Sequence, residues 1–133
     1  MANEAVIPII TDIDVVAARQ KGRELATVLG FVSTDSTLLA TAISELARNI
    51  IRYANNGEIL ISSVQSGDRV GITVVARDKG PGIANISLAM QDGFSTSGGL
   101  GLGLPGVKRM MDEFHLVSDE SNGTKVTIKK WKR

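Results

Sequence analysis

Gly98-Gly99-Leu100-Gly101-Leu102-Gly103-Leu104-Pro105-Gly106 is the densest run of glycine in a chain of 133 residues. Glycine loses more conformational freedom on folding than any other residue, so such a run is expected only where the backbone makes a close approach or takes a positive φ. With no side chains to screen them, the N–H groups of the loop and the positive end of a following helix form a cradle for an anion, phosphate above all. The sequence supplies that helix. Pro105 suits a first helical position, and Leu104, Val107, Met110, Met111 and Phe114 recur at helical spacing. The loop alone names neither the phosphate compound nor the chemistry.

Gly101, Gly103 and Gly106 spell a G-x-G-x-x-G, with a helix, a strand and the acidic pair Asp119-Glu120 downstream, so a dinucleotide site has to be weighed. That fingerprint needs a strand directly before the glycines inside a parallel βαβ unit, whereas the polar residues Ser95, Thr96 and Ser97 precede them here. Neither Gly-Lys-Ser nor Gly-Lys-Thr occurs, which removes the P-loop.

Composition bounds the rest. The length suits a single domain, residues 1–133, with one core. With 43% hydrophobic and 22% charged residues the chain has ordinary globular usage. A formal net charge of +1 gives no broad basic field, so no nucleic acid partner is expected. The basic end Lys129, Lys130, Lys132 and Arg133 reads as a solvated strand end. Cysteine is absent, which rules out disulfides and thiolate metal sites and suits a reducing compartment, so a cytoplasmic protein is expected. No apolar run approaches the roughly 20 residues of a membrane span, and no membrane partner is expected.

The chain divides into short elements without an internal repeat. Val6 to Ile10 suits a strand, and Thr11 with Asp14 three residues on forms a capping box for a helix that should stop at Gly30. Arg19, Lys21, Arg23 and Glu24 on the outer side of that helix are a solvated face or a partner surface. Ser33-Thr34 can cap a second helix, in which Leu39, Ala42, Ile43, Leu46, Ile50 and Tyr53 repeat at three and four until Asn55-Asn56-Gly57. Glu58 to Gln65 and Arg69 to Arg77, joined by Ser66-Gly67-Asp68, predict an antiparallel hairpin. A short helix near 85–90, the glycine-loop helix from Leu104 to Phe114, and strands near 115–118 and 124–131 complete an α+β two-layer domain. Its helices cover one face of a mixed, mostly antiparallel sheet. His115, the one histidine, is expected as a partly buried strand residue.

Two further groups could carry chemistry. Glu45 and Asn49 lie four apart on the second helix, beside Arg48 and Arg52, and so project from nearly one face. They are either an exposed face with minor pairing, or a carboxylate that takes a proton beside an amide oxygen fit for Mg²⁺, a hard ion preferring oxygen. Spacing does not decide between them. Asp78, after an apolar strand and before Gly80-Pro81-Gly82, is either an ordinary turn aspartate or an acceptor for an exocyclic amine, with Gly82 leaving room for a flat ring.

Taken in order, Glu45-Leu46-Ala47-Arg48-Asn49, Asp78-Lys79-Gly80-Pro81-Gly82 and Gly99-Leu100-Gly101-Leu102-Gly103-Leu104 resemble the N box and the two glycine boxes of the Bergerat-type (GHKL) ATP-binding fold. That fold is shared by gyrase, Hsp90, histidine kinases, MutL and the anti-sigma-factor kinases, and the resemblance spans about residues 34 to 128. It implies ATP with Mg²⁺ held at Asn49, Asp78 reading the adenine amine, Gly82 lining the base and Glu45 as catalytic base. It also implies that Gly98, Gly99, Gly101, Leu102 and Gly103 enclose the phosphates. Gly123-Thr124 resembles the late threonine that supports adenine.

Within the family, Asp92 to Gly101 and Val107 to Phe114 are most similar to the small serine/threonine switch kinases of the bacterial stressosome. What this implies is phosphorylation of serine or threonine on STAS-domain partners of the RsbS/RsbR kind in a stress response. It further implies activation, on release, of a phosphatase of RsbU type. Rival expectations are an anti-sigma-factor kinase that holds a sigma factor, a histidine-kinase catalytic domain, and a nucleotide-regulated binding module without phosphotransfer.

Overall fold

The computed structural model describes residues 4–80, 103–119 and 123–133. It opens with strand β1 (Glu4–Ile9) and helix α1 (Asp12–Leu29). Asp14 closes the expected capping box, its Oδ2 accepting from the Thr11 N–H at 3.0 Å and from the Ile10 N–H at 2.9 Å. Those backbone donors, Thr11 first, hold its carboxyl below the usual aspartate range. Gly30 ends the helix at φ 84, in the left-handed region that glycine enters without a Cβ penalty. The Phe31 N–H then reaches back to the Ala26 carbonyl at 2.9 Å. On the outer side Lys21, Arg23 and Glu24 are exposed and Arg19 is half-buried.

Helix α2 (Ser33–Ala54) buries Leu39, Ala42, Ile43, Leu46 and Ile50, as their spacing predicts. Tyr53 leaves the pattern and is 52% exposed, because it lies in the last turn, next to the helix end. Ser33 and Thr34 do not cap. The helix begins at Ser33, Val32 holds the cap position, and the Ser36 N–H bonds the Val32 carbonyl at 3.0 Å. Strands β2 (Gly57–Ser66) and β3 (Arg69–Asp78) form the expected hairpin, with Gly57 opposite Asp78.

Helix α3 (Gly103–Met110) is shorter than the apolar spacing predicts, and Phe114 belongs to β4 (Glu113–Asp119), opposite Ile128 of β5 (Gly123–Trp131). Strand pairing captures the chain early. The Asp112 N–H bonds the Lys129 carbonyl at 3.0 Å, and the Asp112 carboxylate accepts from the Trp131 N–H at 2.7 Å. Pro105 is the third helical residue rather than the first, still within the turn where a missing N–H costs nothing. The short helix expected near 85–90 lies outside the described residues.

The strand order is β1-β2-β3-β5-β4, and all four ladders among the described residues are antiparallel, where a mixed sheet was expected. This ladder pattern contains no parallel βαβ unit among the described residues, so a dinucleotide fingerprint has no place in it. Alternation along the strands sends Ile59, Ile61, Ile72, Val74, Ala76, Val126 and Ile128 into one core with α1, α2 and α3. The result is the expected two-layer α+β architecture.

Two expectations fail on burial. His115 is exposed, since in edge strand β4 it alternates with core-packed Phe114 and Leu116. Lys130 is only 3% exposed, its Nζ donating to the Met110 carbonyl at 2.9 Å and lying 3.9 Å from Asp35 Oδ1. Its position in β5 turns it toward the helices, so this part of the basic end is not solvated. No helix among the described residues is long and apolar enough to cross a membrane.

Candidate functional site

Asp78 ends β3 and uses one oxygen for two bonds. Its Oδ1 accepts from the Gly80 N–H at 2.8 Å and from the Thr124 N–H at 3.4 Å. The first bond is what a turn aspartate makes; the second reaches across the sheet to β5, which a local turn does not require. Thr124 in turn shares a 2.8 Å hydrogen bond with Ser118 through their hydroxyls. The strand registers put Asp78, Thr124 and Ser118 on the helix-facing side.

Glycine makes this corner possible. A Cβ on Gly80 would sit 2.6 Å from the Ala54 Cβ at the end of α2. Gly123, at φ +81, passes so close to the Asp78 carbonyl that any side chain would collide with it. Sequence reading gave Gly80 only as part of the box and missed Ser118. A hydroxyl six residues before Thr124 carries no motif of its own, and only the β4–β5 register pairs the two. The open cleft of about 510 Å³ that Asp78 and Thr124 border is lined mainly by Pro8, Glu58, Arg77, Val117 and Lys125, the row on the outward face of the sheet, so it does not extend the helix-facing site toward Glu45.

Glu45 and Asn49 occupy the middle of α2. Glu45 is 1% exposed, which removes the reading of an exposed, loosely paired face. Asn49 is half-buried one turn later, and Arg48 is partly exposed. From Ala54, against Gly80, Glu45 lies roughly 13 Å back along the helix axis at 1.5 Å per residue. Helix α2 therefore sets Glu45 nine residues back from the end that packs on the Asp78 corner.

Gly103 starts α3 at φ 56, and Leu104, Gly106 and Val107 are buried behind it. The positive end of this helix follows the glycine loop in sequence, as an anion cradle requires. Gly82, Gly98, Gly99, Gly101 and Leu102 lie outside the described residues. Magnesium keeps most of its octahedral shell in waters and substrate phosphates, so the one amide oxygen of Asn49 fits its demand.

Residues 34–133 match the family described as histidine kinase-, DNA gyrase B-, and HSP90-like ATPases. The chain belongs to this family. Over 133 residues, 100% of both chains, it is 52% identical to the serine/threonine-protein kinase RsbT of Bacillus subtilis (strain 168). It is also 36% identical to an anti-sigma F factor of Geobacillus thermodenitrificans (strain NG80-2), covering 86% of this chain and 87% of that one. With an ATPase-family fold and this end-to-end similarity to RsbT, the chain is an ATP-dependent protein kinase.

Two solved structures share the fold. One holds the RsbU and RsbW domains of a Mycobacterium tuberculosis protein, with TM-score 0.64 and 18% identity; the alignment covers 99% of this chain and 32% of that one. The present chain thus spans about a third of that protein. The other is the mycobacterial sensor histidine kinase MprB, with TM-score 0.56, 17% identity and coverage of 100% and 99%.

Proposed function

We propose that this ATPase-family chain transfers the γ-phosphate of ATP to a serine or threonine hydroxyl of a STAS-domain protein, as a kinase in a cytoplasmic stress-response partner switch. The observation that carries this reading is Glu45, buried at the middle of α2 and one turn from Asn49, in a chain that matches a serine/threonine kinase along its whole length. A buried charge is costly unless it is paired or used, and Arg48 reaches only Oε1 of this carboxylate.

Asp78 takes the adenine amine, Thr124 supports the base, and the glycine loop ahead of α3 encloses the phosphates. Asn49 contributes an oxygen to Mg²⁺, which when bound neutralises phosphate charge. Glu45 removes the proton from the acceptor hydroxyl as the new O–P bond forms and the bond to the leaving ADP oxygen breaks. Phosphoryl transfer depends mostly on positioning and charge neutralisation, and these residues supply the positioning. RsbS/RsbR-like proteins are the acceptors we infer, and a phosphatase of RsbU type is the target activated on release.

Incubation with γ-labelled ATP and a recombinant STAS-domain protein tests the reading. Label on a serine or threonine of the partner is expected, and ATP binding without label on protein would reduce the chain to a nucleotide-regulated module. The anti-sigma F factor relatives favour a second reading, a kinase that also holds a sigma factor. Co-purification of a sigma factor in an ATP-dependent manner would select it.

A further inference from the structure

Glu45 and Arg48 form an unequal pair. Arg48 Nη1 lies 3.4 Å from Glu45 Oε1; the carboxylate side chain is 1% exposed and that of the arginine 39%. Among the described residues Arg48 is the only group that hydrogen-bonds or ion-pairs with the Glu45 carboxylate. An i,i+3 pair on a helix surface does little, because both ends are solvated and free to part. Here one end is fixed in the protein interior and the other is a planar fork anchored a turn away on the same rigid helix.

We propose that Arg48 is a positioning residue for phosphoryl transfer: it holds Glu45 Oε1, fixing the carboxylate so that Oε2 faces the acceptor hydroxyl and takes its proton. This rests on Glu45 being the base, as proposed above. General-base catalysis needs the carboxylate within hydrogen-bond reach of the proton, and a misplacement of about 1 Å costs on the order of a hundredfold. Packing fixes the Glu45 side chain, and the Arg48 bond to Oε1 sets which way its carboxylate is turned. In this role Arg48 acts through Glu45 alone, so its removal should leave ATP affinity as it is.

The test compares Arg48→Gln, Arg48→Lys, Glu45→Gln and the double variant Glu45→Gln/Arg48→Gln in the full chain. Single-turnover transfer from γ-labelled Mg-ATP to a recombinant RsbS-type STAS protein gives the rate, and calorimetry gives the affinity for Mg-ATP. Arg48→Gln is expected to slow transfer by about 10- to 100-fold with unchanged ATP affinity, and to lower Tm because it leaves the buried carboxylate without its partner, so rate and affinity are read well below Tm. Arg48→Lys should recover part of the loss, and Arg48→Gln should cost nothing more once Glu45 is already Gln. A further loss in the Glu45→Gln background, or weaker ATP binding, would show that Arg48 contacts the nucleotide and overturn the proposal. Full activity of Arg48→Gln, with Glu45→Gln inactive, would reduce the pair to surface decoration. Full activity of Glu45→Gln would overturn the base assignment itself, and the two failures are thereby distinguished.

Discussion

Asp78 and Glu45 are both carboxylates, yet their surroundings suit them to the opposite work proposed for them. Asp78 accepts from two backbone N–H groups, which fixes its orientation and suits it to reading a ligand amine rather than moving protons. A hydrogen bond to a charged group contributes roughly 1.5–3 kcal/mol, so Asp78→Asn should weaken ATP binding by about ten- to a hundredfold. Titration calorimetry measures this, and an unchanged Kd would leave Asp78 as a turn residue only. Glu45, buried and held from one side, should show the reverse pattern. Glu45→Gln should slow phosphotransfer by about 10²–10⁴-fold while ATP affinity stays put, and equal losses in both would sink the base assignment. Both residue types were legible in the sequence as members of ordered boxes. Their surroundings were not: the burial of Glu45 depends on what packs over α2, and the bond from Thr124 to Asp78 on a β3–β5 register, neither of which is written in local spacing.

Elements followed the sequence at most places where local chemistry decides them, the cap of α2 at Val32 rather than Ser33-Thr34 being the exception, and departed where tertiary pairing does. The capping box at Thr11–Asp14, the left-handed Gly30 and the β2–β3 hairpin all appear as read, because caps and turns depend on residues within a few positions. The end of α3 does not, because Asp112 is claimed by β5 from seventeen or more residues away, before the apolar spacing runs out. The capping box gives a test at this scale. The folded-state pKa of Asp14 is lowered by the Thr11 and Ile10 N–H groups, so its stabilisation is present above the unfolded value of about 3.9 and lost as pH falls through the folded value. Asp14→Asn should therefore lower Tm at pH 7, and the gap from wild type should close as the buffer is taken below pH ~4. A gap that is constant with pH would show that the charge of Asp14 contributes nothing to the cap.

At the scale of the molecule, one buried lysine ties three elements that the proposed nucleotide site needs in register. Lys130 on β5 donates to the Met110 carbonyl at the C-terminal end of α3, and faces Asp35 in the first turn of α2. The 2.9 Å bond to Met110 is the tighter of the two; a cation there also suits the negative end of a helix. Asp35 gains a second cation in Arg133, at 3.3 Å, which itself reaches Asp112 at 3.2 Å. Because Lys130 is 3% exposed, removing its charge leaves the Met110 carbonyl without its donor and buried Asp35 with the exposed Arg133 as its remaining cation. Breaking a buried pair on one side costs about 3–5 kcal/mol, so Lys130→Met should lower unfolding stability by that order in urea. Adding Asp35→Asn should recover much of the loss, because the stranded charge goes with it, and the two changes should therefore be strongly non-additive. Since α3 loses the anchor at its C-terminal end in Lys130→Met, ATP affinity should fall as well, while Glu45-dependent chemistry in saturating ATP persists. A loss below about 1 kcal/mol would place Lys130 among ordinary surface pairs and separate the position of α3 from the C-terminal strand.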